Sequence, residues 1–177
     1  DLDLLVGTWN KDIRYFRNQG SSKEPKFVED EAAAIKPPRA SLVSPVLADM
    51  DADGDLDLVV GTANGAILFY RNDGSRKAAK FVLVSERFGD LKPGRRSRPS
   101  VTDLTGDGLP DLLVGQESGG AILFRNTGTK ASPRFIEDPA FKLALPPIST
   151  PLGVDLDGDG RLEIVAGAVS GGLVFWK

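Results

Sequence analysis

Asp49-Met50-Asp51-Ala52-Asp53-Gly54-Asp55-Leu56-Asp57 sets carboxylates at every second position around a central glycine. Oxygen ligands at alternate positions, a glycine for a sharp turn and a late carboxylate are what a hard cation of Ca²⁺ size requires. The predicted ligands are the side chains of Asp49, Asp51, Asp53 and Asp57, completed by the backbone carbonyl of Asp55. The pattern returns at Asp103, Thr105, Asp107 and Asp111 around Gly108, with the Leu109 carbonyl in the matching place. It returns again at Asp155, Asp157, Asp159 and Glu163 around Gly160, with the carbonyl of Arg161. Thr105 supplies a neutral oxygen, so the middle loop is expected to bind more weakly.

Carboxylates packed this densely repel one another unless a cation neutralises them. An EF-hand loop would place its last acid at position 12 between two helices. Here that acid stands at position 9 and opens a strand-like run, so the EF-hand reading fails. A solvated Asp-Gly turn would explain one such loop, but three loops in phase point to cation binding. Three bound Ca²⁺ would move the formal charge from −3 to about +3. Affinities on the order of 10⁻⁴ to 10⁻³ M, those of extracellular modules, are expected, with the ions acting as structural staples.

Composition removes several classes of function. The 177 residues contain no His and no Cys, which takes away the commonest general base, the usual transition-metal ligand and thiol chemistry. Lys and Arg number 22 against 25 Asp and Glu, a balance that gives no argument for nucleic acid or an anionic membrane. No apolar run approaches the roughly 18 residues of a membrane helix. The obvious paired carboxylates are committed to cations and no nucleophile stands beside a base, so no enzymatic chemistry is expected.

The elements that carry the loops repeat as well. Asp57-Leu58-Val59-Val60-Gly61 matches Asp3-Leu4-Leu5-Val6-Gly7, Asp111-Leu112-Leu113-Val114-Gly115 and Glu163-Ile164-Val165-Ala166-Gly167, at spacings of 54, 54 and 52 residues. Ten residues after each glycine comes a basic residue closing an aromatic run: Arg17, Arg71, Arg125 and Lys177. Asn18-Gln19-Gly20, Asn72-Asp73-Gly74 and Asn126-Thr127-Gly128 supply turns. Lys26-Phe27-Val28, Lys80-Phe81-Val82 and Arg134-Phe135-Ile136 begin a further strand. Each period thus holds four short strands, here called A to D, with the acidic loop between A and B. Helical periodicity is absent apart from a weak patch over Glu29 to Ile35, which is read as loop.

Four antiparallel strands per repeat make the blade of a β-propeller, an all-β architecture. The expected units are 1–38, lacking strand A, then 39–92, 93–146, and 147–177, lacking strand D. Asp1 and Asp3 align with Asp55 and Asp57, so the first unit keeps only the end of its acidic loop. The two partial units cannot combine into one blade. The chain is therefore expected to be an incomplete arc of about four blades, continued by blades of a longer chain or of another copy.

These residues resemble the FG-GAP or VCBS repeat family, the calcium-bearing propeller blades of integrin α-subunit heads and of many secreted bacterial proteins. The resemblance rests on the DxDxDGxxD loops, the Leu-Val-Val-Gly strand after them, and Phe88-Gly89 ahead of Pro99. It implies that the A–B loops hold Ca²⁺ on one side of the propeller, while the B–C and D–A connections build the opposite side, where ligands dock. Thr105 and Glu163 depart from the family's acids at their positions.

Partner contacts are sought on that opposite side. Lys36 and Arg39 crowd one D–A connection, and Lys92, Arg95, Arg96 and Arg98 crowd the next. Arg39, Arg95, Arg96 and Arg98 are the candidates for an anionic ligand, against the alternative of solvated loop charge. Trp9, in a B–C loop, could stack on a sugar, although packing against the neighbouring blade is the favoured reading. Phe16, Tyr70, Phe124 and Trp176 share one strand C position and are read as blade packing. The expected function is a calcium-stabilised extracellular or cell-surface module that binds a protein or glycan in adhesion or recognition. The alternatives are a carbohydrate-binding lectin and an accessory domain of a larger secreted enzyme.

Overall fold

A computed structural model describes residues 2–177; Asp1, aligned above with Asp55, lies outside the described residues. Among the described residues the chain is all-β, and its strands form four antiparallel sheets that follow one another along the sequence. The first is β1 (Leu4–Gly7), β2 (Ile13–Asn18) and β3 (Phe27–Glu29). The second is β4 (Ser44–Ala48), β5 (Asp57–Gly61), β6 (Ile67–Asn72) and β7 (Phe81–Ser85). The third is β8 (Arg98–Thr102), β9 (Asp111–Gly115), β10 (Ala121–Asn126) and β11 (Phe135–Glu137). The fourth is β12 (Thr150–Val154), β13 (Glu163–Gly167) and β14 (Leu173–Trp176).

Within each sheet the strands pair in chain order, so every sheet is a meander. Each acidic loop joins an A strand to a B strand, β4 to β5, β8 to β9 and β12 to β13. The patch over Glu29 to Ile35 forms a single 3-10 turn at Glu31–Ala33, capped by Asp30, whose carboxylate accepts the Ala33 amide. One hydrogen-bonded turn of this kind is a corner in a connection rather than a helix.

The sheets pack face to face as the blades of an open arc, an incomplete propeller. Strand β5 shows why its residues are apolar at both parities. Leu58 and Val60 point back to the first blade, into a core with Ile13 and Val43. Val59 points forward, into a core with Met50, Phe69, Leu112 and Val114. A third core, around Leu113, Leu123, Ile164 and Ala166, joins the last two blades. A strand buried on both faces loses the alternation of a half-exposed strand, hence Leu-Val-Val. Each fully buried Leu or Val contributes roughly 1.5 to 3 kcal/mol of apolar burial.

Phe88 ties the second blade to the third. It opens a 3-10 turn at Phe88–Asp90 in which Gly89 takes φ 63°, and its ring stacks on Phe69 at 4.6 Å and meets Phe135 edge-on at 5.5 Å.

The glycine that ends each B strand is a seat for the next blade. A Cβ on Gly7 would stand 2.0 Å from the Val43 carbonyl oxygen, on Gly61 2.2 Å from that of Ser97, and on Gly115 2.1 Å from that of Ser149. Pro45, Pro99 and Pro151 close each seat from the side. Gly167 has only the Leu173 side chain, 4.0 Å away, at that place. The forward face of the last blade is correspondingly open, with Leu152, Leu173 and Phe175 each more than half exposed. At the other end of the arc Leu4 and Val6 are partly exposed, and Arg14 and Glu29 form an ion pair beside them. No helix among the described residues is long and apolar enough to cross a membrane.

Candidate metal centres

Each A–B loop wraps its backbone around its own first aspartate. In the second blade the Gly54 amide donates to Asp49 Oδ2 at 3.1 Å, and Asp55 N donates to Asp53 Oδ1 at 2.8 Å. The third blade repeats the wrap, with Gly108 N to Asp103 Oδ2 at 2.8 Å and Leu109 N to Asp107 Oδ1 at 2.9 Å. So does the fourth, with Gly160 N to Asp155 Oδ2 at 3.0 Å and Arg161 N to Asp159 Oδ1 at 2.8 Å. Gly54, Gly108 and Gly160 take φ of 94°, 84° and 84°, the left-handed region that lets the loop double back.

This wrap makes carboxylate oxygens converge. One oxygen each of Asp49, Asp51 and Asp53 lie within 4.8 Å of one another, and the same holds for Asp155, Asp157 and Glu163. Two ligands of one Ca²⁺ at about 2.4 Å can be no more than about 4.8 Å apart, so both trios match the shell of such an ion. In the third blade the place of Asp51 belongs to Thr105, which contributes a hydroxyl to that loop. Asp49 Oδ1 and Thr105 Oγ1 are buried and, among the described residues, have no hydrogen-bond partner. A buried oxygen without a donor is costly, and a cation is what such an oxygen can accept. The donor set of all-oxygen ligands therefore fits Ca²⁺.

The last acid of each loop has a second task that its spacing does not reveal. Asp57 is fully buried, and its carboxylate accepts the Met50 amide at 3.0 Å and the Asn72 amide at 2.8 Å. Asp111 does the same for Thr105 N at 3.1 Å and Asn126 N at 2.8 Å. Asp3, in the first blade, accepts Asn18 N at 2.8 Å and the Tyr15 hydroxyl. Glu163 accepts Leu156 N at 2.9 Å and, through its longer side chain, still reaches Asp155 and Asp157. Asp57 and Asp111 thus bolt the loop to the C–D turn, whose Asn72 and Asn126 side chains in turn accept the Lys80 and Arg134 amides. Burial raises the Asp57 pKa above the usual carboxylate range; the two amides pull it down, and the charges of Asp51 and Asp53 push it up again.

The basic residues that close strand C all find acids. Arg17 pairs with Asp30 at 2.7 Å, Arg71 with Asp73 at 2.6 Å and Arg125 with Asp138 at 3.7 Å. Lys177 instead enters the loop of its own blade, with Nζ 2.5 Å from Asp157 Oδ2 and 4.0 Å from Asp159 Oδ2.

On the other side of the arc the structure divides the predicted ligand residues. Arg39 and Arg95 line one cavity, where Arg87 and Lys92 join them. Arg87 stands outside the basic run from Lys92 to Arg98, so sequence spacing gave no reason to group it. Arg96 leaves the group and pairs with Glu117 at 3.2 Å. Arg98 lies apart, in a small cavity with Thr8 and Trp9, and its buried Nε has no partner among the described residues. Burial, and then the charge of Arg96, lower the pKa of Arg98. Trp9 is 74% exposed, which corrects the reading that it packs against the neighbouring blade. Its ring borders a small cavity with Leu42, Val43 and Arg98 but leaves most of its surface to solvent. Tyr70 and Phe124 are buried between blades, while Phe16, on the open face of the first blade, is only half-buried beneath the Arg14 guanidinium.

A family model described as FG-GAP-like repeat matches the chain three times, over residues 1–60, 49–114 and 103–166. The second and third matches each begin at an acidic loop and run through the next one. No curated protein matches the chain.

Proposed function

Because the chain belongs to the FG-GAP-like repeat family, whose repeats here build a propeller arc, we propose that it is a calcium-stabilised recognition module working outside the cell or at its surface. It binds a protein or glycan partner and carries no chemistry of its own. The observation that carries the calcium reading is the Asp49 loop, where three carboxylate oxygens converge and a buried Asp49 oxygen has no donor among the described residues. Asp49, Asp51, Asp53 and the Asp55 carbonyl hold the ion in the second blade. Asp103, Thr105, Asp107 and the Leu109 carbonyl do so in the third, and Asp155, Asp157, Asp159, Glu163 and the Arg161 carbonyl in the fourth. Asp57 and Asp111 contribute whatever lone pairs their amide bonds leave free.

Bound ions would cancel the repulsion within each loop and fix the A–B hairpin, leaving the B–C and D–A connections as the ligand side. The open apolar face of Leu152, Leu173 and Phe175 is the seat for a further blade, from the same chain or another copy.

Calorimetry on EDTA-stripped protein tests this. Ca²⁺ is expected to bind with millimolar to 0.1 mM dissociation constants, adding about 1.4 to 2.7 kcal/mol of stability per site at 10 mM. Asp49→Asn combined with Asp155→Asn should remove most of the heat. No heat of binding and an unchanged Tm would defeat the calcium reading.

A lectin is the second reading, favoured by the exposure of Trp9 beside a cavity that also holds Asn10 and Asp12. An aromatic ring next to polar groups is the usual platform for a sugar. Glycan binding lost in Trp9→Ala would support this reading, whereas no glycan binding by the unaltered protein would remove it and leave the first with a protein partner.

A further inference from the structure

The fold makes the same cavity three times. In each of the first three blades the B–C turn and the D–A connection border a concave site, of about 590 Å³ in the first, 500 Å³ in the second and 520 Å³ in the third, and in the second Pro38, Arg39 and Ala40 of the preceding D–A connection add a further wall. Sites of this volume are typical of small-molecule ligands. The repeat sets the common outline, and the side chains, with the added wall of the second cavity, distinguish one from the next.

Charge distinguishes them sharply. The first is lined by Asp12, Glu29 and Glu31 against Arg14 and Lys36. The third is lined by Glu137 and Asp138 against Lys142. The second inverts the balance, with Arg39, Arg87, Lys92 and Arg95 against the single carboxylate of Glu86. Arg14 is bound to Glu29 in the first cavity, and Asp138 to Arg125 at the third. In the second, only Arg95 has an acid, Glu117 at 3.5 Å, and among the described residues Arg39, Arg87 and Lys92 form no ion pair.

Cations gathered in a concavity raise its potential, because the low-dielectric walls focus their field. Guanidinium groups match the paired oxygens of carboxylate and sulfate, and a lysine adds an adjustable point charge. Leu68 and Leu91 give the cavity an apolar floor, against which a carbon skeleton can rest.

We propose that the cavity of the second blade binds a small multivalent anion, an organic acid or acidic sugar carrying two or more carboxylate or sulfate groups. This site is independent of the metal loops, which lie at the other end of the strands. Arg39 and Arg87 grip the acid groups, Lys92 adds charge, and the sister cavities are excluded by their own carboxylates.

The three residues are exposed, so replacing them spares the core. The test titrates glutarate and a disulfated disaccharide into calcium-loaded protein, by calorimetry and by backbone amide shifts. Millimolar or tighter binding of at least one probe is expected, weakening with added NaCl and shifting amides of residues 62–66 and 91–95. The better probe identifies whether carboxylates or sulfates are preferred. Arg39→Gln/Arg87→Gln/Lys92→Gln should weaken it at least tenfold, whereas Lys36→Gln/Lys142→Gln in the sister cavities should change it less than twofold. Failure of both probes to bind the unaltered protein overturns the proposal. Equal binding by the triple variant, or equal loss in the sister-cavity variant, does so too.

Discussion

Gly61 lies directly beneath the Ser97 carbonyl, so close that a Cβ at Gly61 would stand 2.2 Å from that oxygen. The contact is doubled by hydrogen bonds, for Ser97 N donates to Thr62 O at 3.1 Å and Thr62 N donates to Ser97 Oγ at 2.9 Å. The end of one blade's B strand and the approach to the next blade's A strand are thus one joint. Gly61→Ala must push the third blade away and is expected to cost at least about 2 kcal/mol, the upper range of overpacking. Gly167→Ala, at the same repeat position with open space around it, should cost under about 1 kcal/mol. Urea unfolding of both variants reads the difference; equal losses would show that the joint is not what the glycine serves.

Asp57 offers a way to separate fold from metal. Asp57→Ala leaves the Met50 and Asn72 amides without an acceptor, and both bonds are buried. An unsatisfied buried donor costs about 1 to 3 kcal/mol. The variant should therefore lose at least about 2 kcal/mol in EDTA as well as in calcium. Asp51→Asn, half-buried and still able to accept the Asp53 amide through its Oδ1, should lose stability only in calcium. A loss for Asp57→Ala confined to calcium would mean that the clamp is incidental.

Lys177 competes with any cation for the loop of the last blade, because its ammonium already contacts Asp157. Removing it as Lys177→Met should tighten Ca²⁺ at that loop by up to about fivefold, the value of an exposed ion pair near 1 kcal/mol. The Asp49 loop, where Arg71 turns to Asp73 instead, serves as internal reference. A titration followed by loop amide shifts distinguishes the two, and a weaker fourth-blade site in Lys177→Met would contradict the competition.

The chain has two tyrosines, and both are held protonated to high pH. Burial, then the hydrogen bond to Asp3, pushes Tyr15 up to about 12, and burial, then the charge of Glu86, pushes Tyr70 up to about 12. Folded pKa values above the unfolded value near 10 mean that this stability is fully present below pH 10 and is lost as pH rises towards 12. Native protein should show no phenolate absorbance at pH 10, whereas urea-unfolded protein titrates there. Phenolate appearing at pH 10 without unfolding would contradict the packing of Tyr70 or the Tyr15–Asp3 bond.

What is local or periodic was legible in the order of the residues. The 54-residue recurrence of Leu-Val-Val-Gly, the acidic loop before it and the aromatic run after it specify blades, because strand, turn and loop chemistry act between residues close in the chain. Convergence of Asp49, Asp51 and Asp53 was legible for the same reason. Which distant groups meet was settled by packing in three dimensions. It gave the carboxylate of Asp57 to Asn72, placed Arg87 beside Arg39, turned Arg96 to Glu117, and left Trp9 in solvent. These outcomes depend on how one sheet leans on the next and where each connection returns, and residues tens of positions apart carry no mark of that until the faces have packed.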